Sequence, residues 1–249
     1  MDFDELNRQS YDKIAKQFSA ARAYVWPDVQ LFRDCVKDGA RVLDLGCGNG
    51  RLIALFKNNV ETEYYSVRPD YLGVDSSGEL IKRARANYPD EKFEVMDALN
   101  LNLPEKSFDI VLSVSVLNHF AKENHQRFIE NVKKVLKPGG CLLMSNWNMW
   151  NVRNKKSVWR LVKKSRKILK QVQDDRRESL ISRWKDVVTT WKSGGVEAQL
   201  YYYAFTKGEI KRLLNRNGFE IKKNYYSRKG KPSNLFFGEN IVTIAKSIY

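Results

Sequence analysis

The sequence predicts a single α/β domain over residues 1–249, built around a mostly parallel sheet. Between residues 41 and 146, short β-branched and apolar runs alternate with longer helical segments. This alternation is typical of β-α-β units with right-handed crossovers. One run, FDIVLSV at 108–114, is almost wholly apolar, as expected for a strand that is buried on both faces. A length of 249 residues fits one such domain with insertions.

The strands predicted in this region are short and separated by helices. We place the strands at residues 41–45, 71–75, 93–96, 108–113 and 141–146. We place helices at residues 51–57, from the end of the second strand through residue 86, and at 124–136. The last of these helices is predicted to stop at the sequence KPGG, because proline and two glycines disfavour its continuation.

The two ends of the chain are predicted to complete this core. Residues 1–38 form N-terminal lid helices ahead of the first strand. Near the other end, Thr206 and Glu209 have the spacing of a helix capping box. Two strands follow at 219–226 and 240–247, and their closeness in the chain predicts an antiparallel edge of the sheet.

A basic helical insertion is predicted over residues 151–192, after the fifth strand. The insertion holds fourteen Lys or Arg and four Asp or Glu, in a chain of net charge +15. Apolar residues recur at spacings near three and four over 155–172, which predicts a basic amphipathic helix. Three uses stay open: gripping the phosphates of an RNA, lying on an anionic membrane, or covering the domain.

Composition narrows the classes of protein. The chain has three widely spaced cysteines and two histidines, so we expect neither a metal site nor a disulfide framework. Reduced thiols and the absence of a signal-like N-terminus favour a cytoplasmic protein. No apolar run approaches the roughly 20 residues that a membrane span needs.

The segment RVLDLGCGNG at 41–50 places three glycines directly after an apolar strand: Gly46, Gly48 and Gly50. A dinucleotide-binding loop would carry its third glycine one position later. Asp44 precedes the loop, and Asp75 and Asp97 end the next two strands. Carboxyl ends of parallel strands meet at one sheet edge, where ligands bind. Three acids without a P-loop lysine favour a nucleoside that carries positive charge, such as a sulfonium, over a nucleoside triphosphate.

The ordered segments VLDLGCGNG, GVDSS, MDALNL, FDIVLSVSVLNHF and LKPGG resemble the motifs of class I S-adenosylmethionine-dependent methyltransferases. The resemblance covers roughly residues 41 to 146. It implies a Rossmann-like, seven-stranded methyltransferase fold whose last strand is antiparallel. It also implies S-adenosyl-L-methionine as the cofactor, bound in the crevice beside the glycines.

The resemblance assigns a role to each motif. The glycine loop would flank the methionine part of the donor, with Asp44 near its ammonium group. Asp75 would hold the ribose, and Asp97 with Ala98 would contact the adenine. The full set of cofactor-binding residues that the resemblance implies is Tyr11, Asp44, Gly46, Cys47, Gly48, Asn49, Gly50, Asp75, Ser76, Asp97, Ala98, Ser113 and Val114.

The outer segments YDKIAKQFSAARAYVWPDV, NGFEI and ENIVTIAKS resemble the tRNA wobble-uridine carboxymethyl methyltransferases, the yeast-type enzyme and its relatives fused to AlkB-like oxygenases. This resemblance implies tRNA as the partner and O-methylation of a uridine side-chain carboxylate. In eukaryotic members a small zinc-bearing activating subunit covers an apolar edge. The chain departs from the family with Asn118-His119, where two histidines are usual.

The chemistry of the carboxylate acceptor indicates which residues are candidates for catalysis. A carboxylate is ionised at neutral pH, so transfer to it depends on positioning rather than on a strong base. We expect Arg22 to hold the acceptor carboxylate, with Asn118 and His119 beside the reacting groups. His119 would orient a substrate, or act as a base if the acceptor is a hydroxyl. The alternative is a small-molecule or lipid- or quinone-precursor methyltransferase that uses the basic helix for membrane contact or as a cover.

Overall fold

The strands alternate with helices in the first two thirds of the chain, as the sequence predicts. The computed structural model describes residues 2–22, 24–57, 67–154, 157–158 and 185–248. The strands of the main sheet are β1 (Arg41–Leu45), β2 (Asp70–Asp75), β3 (Lys92–Val95), β4 (Phe108–Val114), β5 (Leu136–Trp147), β8 (Phe219–Arg228), β9 (Lys231–Ser233) and β10 (Asn240–Ser247). A separate pair consists of β6 (Asp186–Ser193) and β7 (Val196–Tyr203).

The main sheet has the order β3-β2-β1-β4-β5-β10-β8-β9. Strands β1 to β5 pair in parallel, and β10 lies antiparallel between β5 and β8. The predicted mostly parallel sheet with an antiparallel last strand is therefore confirmed. The three-residue β9 adds an eighth strand at the edge. Strand β5 also begins earlier than predicted, because residues 136–140 already pair beside β4 through an irregular register.

In the part of the chain that the structure describes, the sheet is surrounded by α1 (Phe3–Ala21), α2 (Gly78–Asn87), α3 (His125–Val135) and α4 (Lys207–Arg216). The predicted capping box of α4 is confirmed, since Thr206 accepts from the Glu209 N–H and Glu209 accepts from the Thr206 N–H. The predicted helix after β1 is a short 3-10 helix, Arg51–Leu55. In the lid region, α1 is followed by another 3-10 helix, Pro27–Cys35.

The core lies on both faces of the sheet, and alternate residues of each strand serve opposite faces. Leu43, Val111 and Met144 pack with α3 and α4 on one face. Leu112 and Leu143 pack with α2 and the Pro27–Cys35 helix on the other. The near-continuous apolar sequence of β4 follows from this double burial.

Strands β6 and β7 form an antiparallel pair that packs against α1. This pair corrects the predicted helical insertion at its C-terminal end, because residues 186–192 are strand. The alternating burial of Val187 and Thr189 against exposed Val188 explains the difference, since this period of two is typical of a strand. The predicted basic amphipathic helix over 155–172 falls on residues outside the described ranges, apart from 157 and 158.

Candidate active site

A cavity of about 650 Å³ opens at the carboxyl ends of β1, β2 and β4, under α1 and the turn that follows it. Cavities of this size accommodate nucleoside-sized ligands. The cavity is lined by most of the predicted site residues: Tyr11, Arg22, Gly46, Cys47, Gly48, Asn49, Asp75, Ser76, Asp97, Ala98, Val114 and His119. Their common position follows from the topology, which places successive strand ends at one edge of the sheet.

The glycine loop between β1 and the 3-10 helix needs bare backbone for two different reasons. Gly46 has φ +75°, and a Cβ there would lie 2.3 Å from Val116 Cγ2, so packing of the chain itself excludes a side chain. Gly48 has φ +58° but faces open space, with Phe18 Cε1 the nearest atom at 3.9 Å. The bare backbone of Gly48 therefore leaves room on the cavity side for a ligand.

Asp75 is held in place by the backbone of the loop. Its Oδ2 accepts from the Gly48 N–H and its Oδ1 from the Ser77 N–H, both at 2.9 Å. Burial raises the pKa of this carboxyl, while the two N–H groups oppose that shift. Each oxygen retains acceptor capacity, so the carboxylate is oriented to accept hydroxyl groups of a ribose.

Asp97 and Ala98 lie further along the same edge, and α1 adds a residue there that the sequence analysis did not select. The Asp97 carboxylate accepts from the Leu99 N–H at 2.8 Å, which leaves the Ala98 backbone at the cavity wall. Asp4 also lines the cavity, and one of its oxygens is buried without a hydrogen bond. Burial, and then the charges of Asp2 and Asp97, raise the pKa of Asp4 to about 6.

Asp44 lies beneath the glycine loop and does not line the cavity. Its side chain is fully buried, and Oδ2 accepts from the Tyr71 hydroxyl at 2.6 Å. Burial raises the pKa of Asp44 to about 7. The Asp44 Oδ1 atom has no hydrogen-bond partner among the described residues, and its place near the donor ammonium stays a prediction. The second-last position of β1 directs this side chain toward β2, so its charge acts on the cavity only through the loop.

Three other predicted residues also lie outside the cavity lining. Asn118 is fully buried, and its side-chain atoms hydrogen-bond to no described residue. It lies in the 3-10 turn Leu117–His119, which points Asn118 inward and His119 toward the cavity. Gly50 packs against Phe93, and Ser113 is fully buried. The predicted catalytic role of Asn118 and the predicted cofactor contacts of Gly50 and Ser113 are corrected on these grounds.

His119 joins the lid helix to the sheet. Its Nδ1 lies 3.0 Å from the Tyr201 carbonyl oxygen, and its Nε2 lies 2.9 Å from the Tyr11 hydroxyl. Because a carbonyl only accepts, Nδ1 carries the proton and Nε2 accepts from Tyr11. Burial lowers the pKa of His119 to about 4, so the ring is neutral at physiological pH and is a weak base.

Two arginines meet at one aromatic ring beside the glycine loop. The guanidinium of Arg22 lies 5.1 Å from the Trp26 ring centroid, and that of Arg51 lies 4.1 Å from it. Burial and then the charge of Arg22 lower the pKa of Arg51 to about 10, so the Arg51 guanidinium remains cationic at physiological pH. The Arg51 Nη1 is buried without a hydrogen-bond partner. The two guanidinium groups at the Trp26 ring, together with the unpartnered Nη1 donor of Arg51, form a site for carboxylate groups.

Part of the cavity wall is aromatic. Trp147, Trp191 and Tyr202 line it, together with Leu200 and Lys229. Trp191, Leu200 and Tyr202 come from the β6–β7 pair. They can be identified only once β7 is known to pack against α1 and the Leu117–His119 turn. In the tyrosine run at 201–203, Tyr202 faces the cavity while Tyr201 and Tyr203 pack in the core.

The cavity fits S-adenosylmethionine. The oriented Asp75 carboxylate suits the ribose, the open side of Gly48 leaves space beside the loop, and the orphaned Arg51 Nη1 suits the carboxylate of the methionine part. Within the described ranges, no cluster of His, Cys, Asp or Glu has a geometry that could hold a metal ion. In the same ranges, no helix is both long and apolar enough to cross a membrane.

The fold and the site together define a methyltransferase domain of the Rossmann-like, class I type. Residues 43–144 match the family described as "Methyltransferase domain". An S-adenosylmethionine-dependent methyltransferase from Methanosarcina mazei aligns with a TM-score of 0.60 at 21% identity, over 88% of this chain and 97% of that one. Residues 43–144 therefore carry a methyltransferase domain, and the cavity beside its glycine loop fits S-adenosylmethionine.

Curated relatives are similar beyond that domain. A tRNA (carboxymethyluridine(34)-5-O)-methyltransferase from Schizosaccharomyces pombe is 28% identical over 243 residues, which cover 90% of this chain and 93% of that protein. A protein of the same name from Arabidopsis thaliana is 35% identical over 140 residues, but the match spans only 31% of its length. A Haloferax volcanii methyltransferase, solved in complex with the Trm112 methyltransferase activator, aligns with a TM-score of 0.61 at 17% identity, over 97% of both chains.

Proposed function

We propose that the protein transfers the methyl group of S-adenosylmethionine to the side-chain carboxylate of a modified wobble uridine in tRNA. The observation that carries this proposal is the pair of arginines around Trp26, beside the glycine loop. The similarity to the Schizosaccharomyces pombe enzyme over 90% of this chain supports the same substrate. The reaction joins a carboxylate oxygen to the methyl carbon, breaks the carbon–sulfur bond and leaves S-adenosylhomocysteine.

The two arginines match the two carboxylates that the reaction brings together. One carboxylate belongs to the methionine part of the donor and the other to the acceptor. Arg51 directly follows the glycine loop and has the unpaired Nη1, so it suits the donor. Arg22 lies at the end of the lid helix and lines the cavity, so it suits the acceptor. A carboxylate between them also relieves the repulsion of the two like charges.

The rest of the site suits an acceptor that is already ionised. His119 is neutral and its Nε2 is engaged by Tyr11, so no strong general base faces the cavity at that position. The chain's own residues would therefore align the carboxylate oxygen with the methyl carbon and exclude water, and the rate enhancement would come from positioning. Tyr11 and His119 connect α1, the β4 end and β7, and so hold the lid over the reacting groups.

The aromatic lining of the cavity is suited to the uracil base. Trp147, Trp191 and Tyr202 line the cavity, and the ring centroids of Trp147 and Tyr202 lie 5.1 Å apart. Unpaired bases in RNA loops are commonly recognised by stacking on such side chains. The net charge of +15 favours a polyanionic partner. A cytoplasmic location belongs with this proposal, since it rests on tRNA as the substrate.

A small activating subunit fits one edge of the sheet. Strand β3 is an edge strand, and its Val95 side chain is 56% exposed. An edge strand offers unpaired backbone groups for pairing with a partner chain. The similarity to the Haloferax volcanii methyltransferase that was solved with an activator supports such a partner.

The experiment that tests the proposal is methyl transfer from labelled S-adenosylmethionine to tRNA from cells that lack this protein. We expect label in one wobble-uridine nucleoside, and we expect mild alkali to release it as methanol, because an ester hydrolyses and a ribose ether or N-methyl group does not. Alkali-stable label in RNA would contradict a carboxylate acceptor. Label that appears only in lipid or small molecules would contradict the RNA substrate.

A further inference from the structure

The loop between β9 and β10 holds two phenylalanine side chains out in solvent. Phe236 and Phe237 are 48% and 40% exposed, and the neighbouring Val152 is 39% exposed. These three residues and Arg153 are called the aromatic patch. The Arg153 guanidinium lies 5.0 Å from the Phe237 ring centroid, so the patch combines flat apolar surface with a positive charge.

Two asparagines fix the backbone that carries this patch. Asn234 accepts from the N–H groups of both phenylalanines, at 3.0 and 3.1 Å. The fully buried Asn148 donates to the carbonyls of Leu235 and Gly238, both at 2.8 Å. Because both phenylalanines lie between these anchors, the loop is held in one conformation. A rigid loop with exposed rings loses little conformational entropy when it binds a partner.

The aromatic patch is continuous with the mouth of the cavity. Glu239 and Asn240 follow the patch after Gly238 and line the cavity. The Glu239 N–H donates to the Ser227 carbonyl at 2.7 Å, which connects the patch to the β8–β9 hairpin. Lys229, at the turn of that hairpin, also lines the cavity. A chain that leaves the cavity on this side would therefore meet a cation and then the exposed rings.

We infer that the aromatic patch stacks unpaired bases that flank the acceptor nucleotide in a single-stranded RNA loop. This inference rests on the proposed function and names the surface that would hold the RNA beyond the reacting base. Stacking suits such a ligand because every base has an aromatic face, whatever the sequence. The positive charge of Arg153 and Lys229 favours a polyanion over an apolar protein surface, which would leave both cations unpaired.

The test compares two double variants in binding an RNA hairpin with a uridine-rich single-stranded loop, by fluorescence anisotropy. We expect Phe236→Ala with Phe237→Ala to weaken binding of the hairpin roughly tenfold or more, since each stacked base contributes substantially. Phe236→Tyr with Phe237→Tyr keeps the ring faces and should bind as the unchanged protein does. Val188→Ala, an exposed apolar residue on β6, is the matched control for surface truncation.

Two further measurements test the aromatic patch independently of the proposed function. Binding of a fully paired RNA duplex should not change in the double alanine variant, because its bases are not available for stacking. Unchanged hairpin affinity in that variant would overturn the inference, even if methyl transfer to tRNA is observed. Loss of binding to anionic vesicles or to an activator protein, with RNA binding intact, would also overturn it and assign the patch to a membrane or a protein partner.

Discussion

The Tyr11 hydroxyl lies 2.9 Å from His119 Nε2 and so connects the lid helix to the end of β4. On the other side of the ring, His119 Nδ1 faces the carbonyl of Tyr201 in β7. The imidazole therefore bridges three elements that together cover the cavity. This arrangement makes His119 a positioning residue, because both ring nitrogens are occupied before any substrate enters.

The pH dependence of transfer follows from this arrangement. With the His119 pKa near 4 and a carboxylate acceptor ionised above about pH 5, we expect kcat/KM not to depend on His119 protonation from about pH 6 to 8. Tyr11→Phe should lower kcat by up to about tenfold through loss of one hydrogen bond, without adding a pH-dependent limb. A limb near pH 6.5 that disappears in His119→Asn would instead identify His119 as a general base.

Arg22 is expected to act on the acceptor rather than on the donor. Arg22→Ala should lower kcat/KM for tRNA by roughly tenfold to a hundredfold, the cost of one charged hydrogen bond. Arg22→Lys should recover only part of this loss, because lysine lacks the planar fork. Steady-state kinetics should be combined with calorimetric titration of S-adenosylmethionine, and exposed Lys37→Ala in the same lid region is the control. A large loss of donor affinity in Arg22→Ala would place the donor carboxylate on Arg22.

Alanine substitutions at Gly39 and Gly46 distinguish the cost of backbone strain from the cost of overpacking. Both have positive φ, but nothing lies within 4 Å of a Cβ at Gly39, while a Cβ at Gly46 would overlap Val116. We expect Gly39→Ala to reduce the free energy of unfolding by about 1 kcal/mol. Gly46→Ala should cost more, about 3 kcal/mol in total, because overpacking adds to the strain. Urea titration measures both. Equal losses would mean that Val116 moves aside freely.

Asp44 should lower the free energy of unfolding as the pH rises. Its folded pKa is about 7, against about 3.9 when unfolded, so the folded state binds the extra proton between these values. The stabilisation that protonated Asp44 gives the folded state is therefore present at low pH and is lost as the pH rises toward 7. Asp44→Asn should gain relative stability on the order of 1–3 kcal/mol between pH 5 and 8. Thermal unfolding across that range checks it, with exposed Asp70→Asn as the control. A difference in unfolding temperature between the unchanged protein and Asp44→Asn that stays constant across this pH range would contradict the raised pKa.

The sheet and the cofactor loop were predictable because their signals are local. A glycine loop after an apolar strand and an acid at each strand end depend only on neighbours in the chain, so Gly48, Asp75 and Asp97 were placed correctly at the cavity. Asn118 was not, because one residue of rotation in a short 3-10 turn exchanges it with His119. The role of Arg51 was also missed, since its stacking on Trp26 depends on how the lid packs over the loop.

The central claim is that Asp75 and the glycine loop bind the adenosyl donor, and calorimetric titration with S-adenosylhomocysteine tests it most directly. Asp70 and Asp75 begin and end the same strand, but only Asp75 lines the cavity. We predict that Asp75→Ala weakens binding by roughly a hundredfold, as expected when two charge-assisted hydrogen bonds are lost, while Asp70→Ala leaves the affinity unchanged. Equal affinities for the unchanged protein and Asp75→Ala, or no binding to either, would contradict the assignment of this crevice.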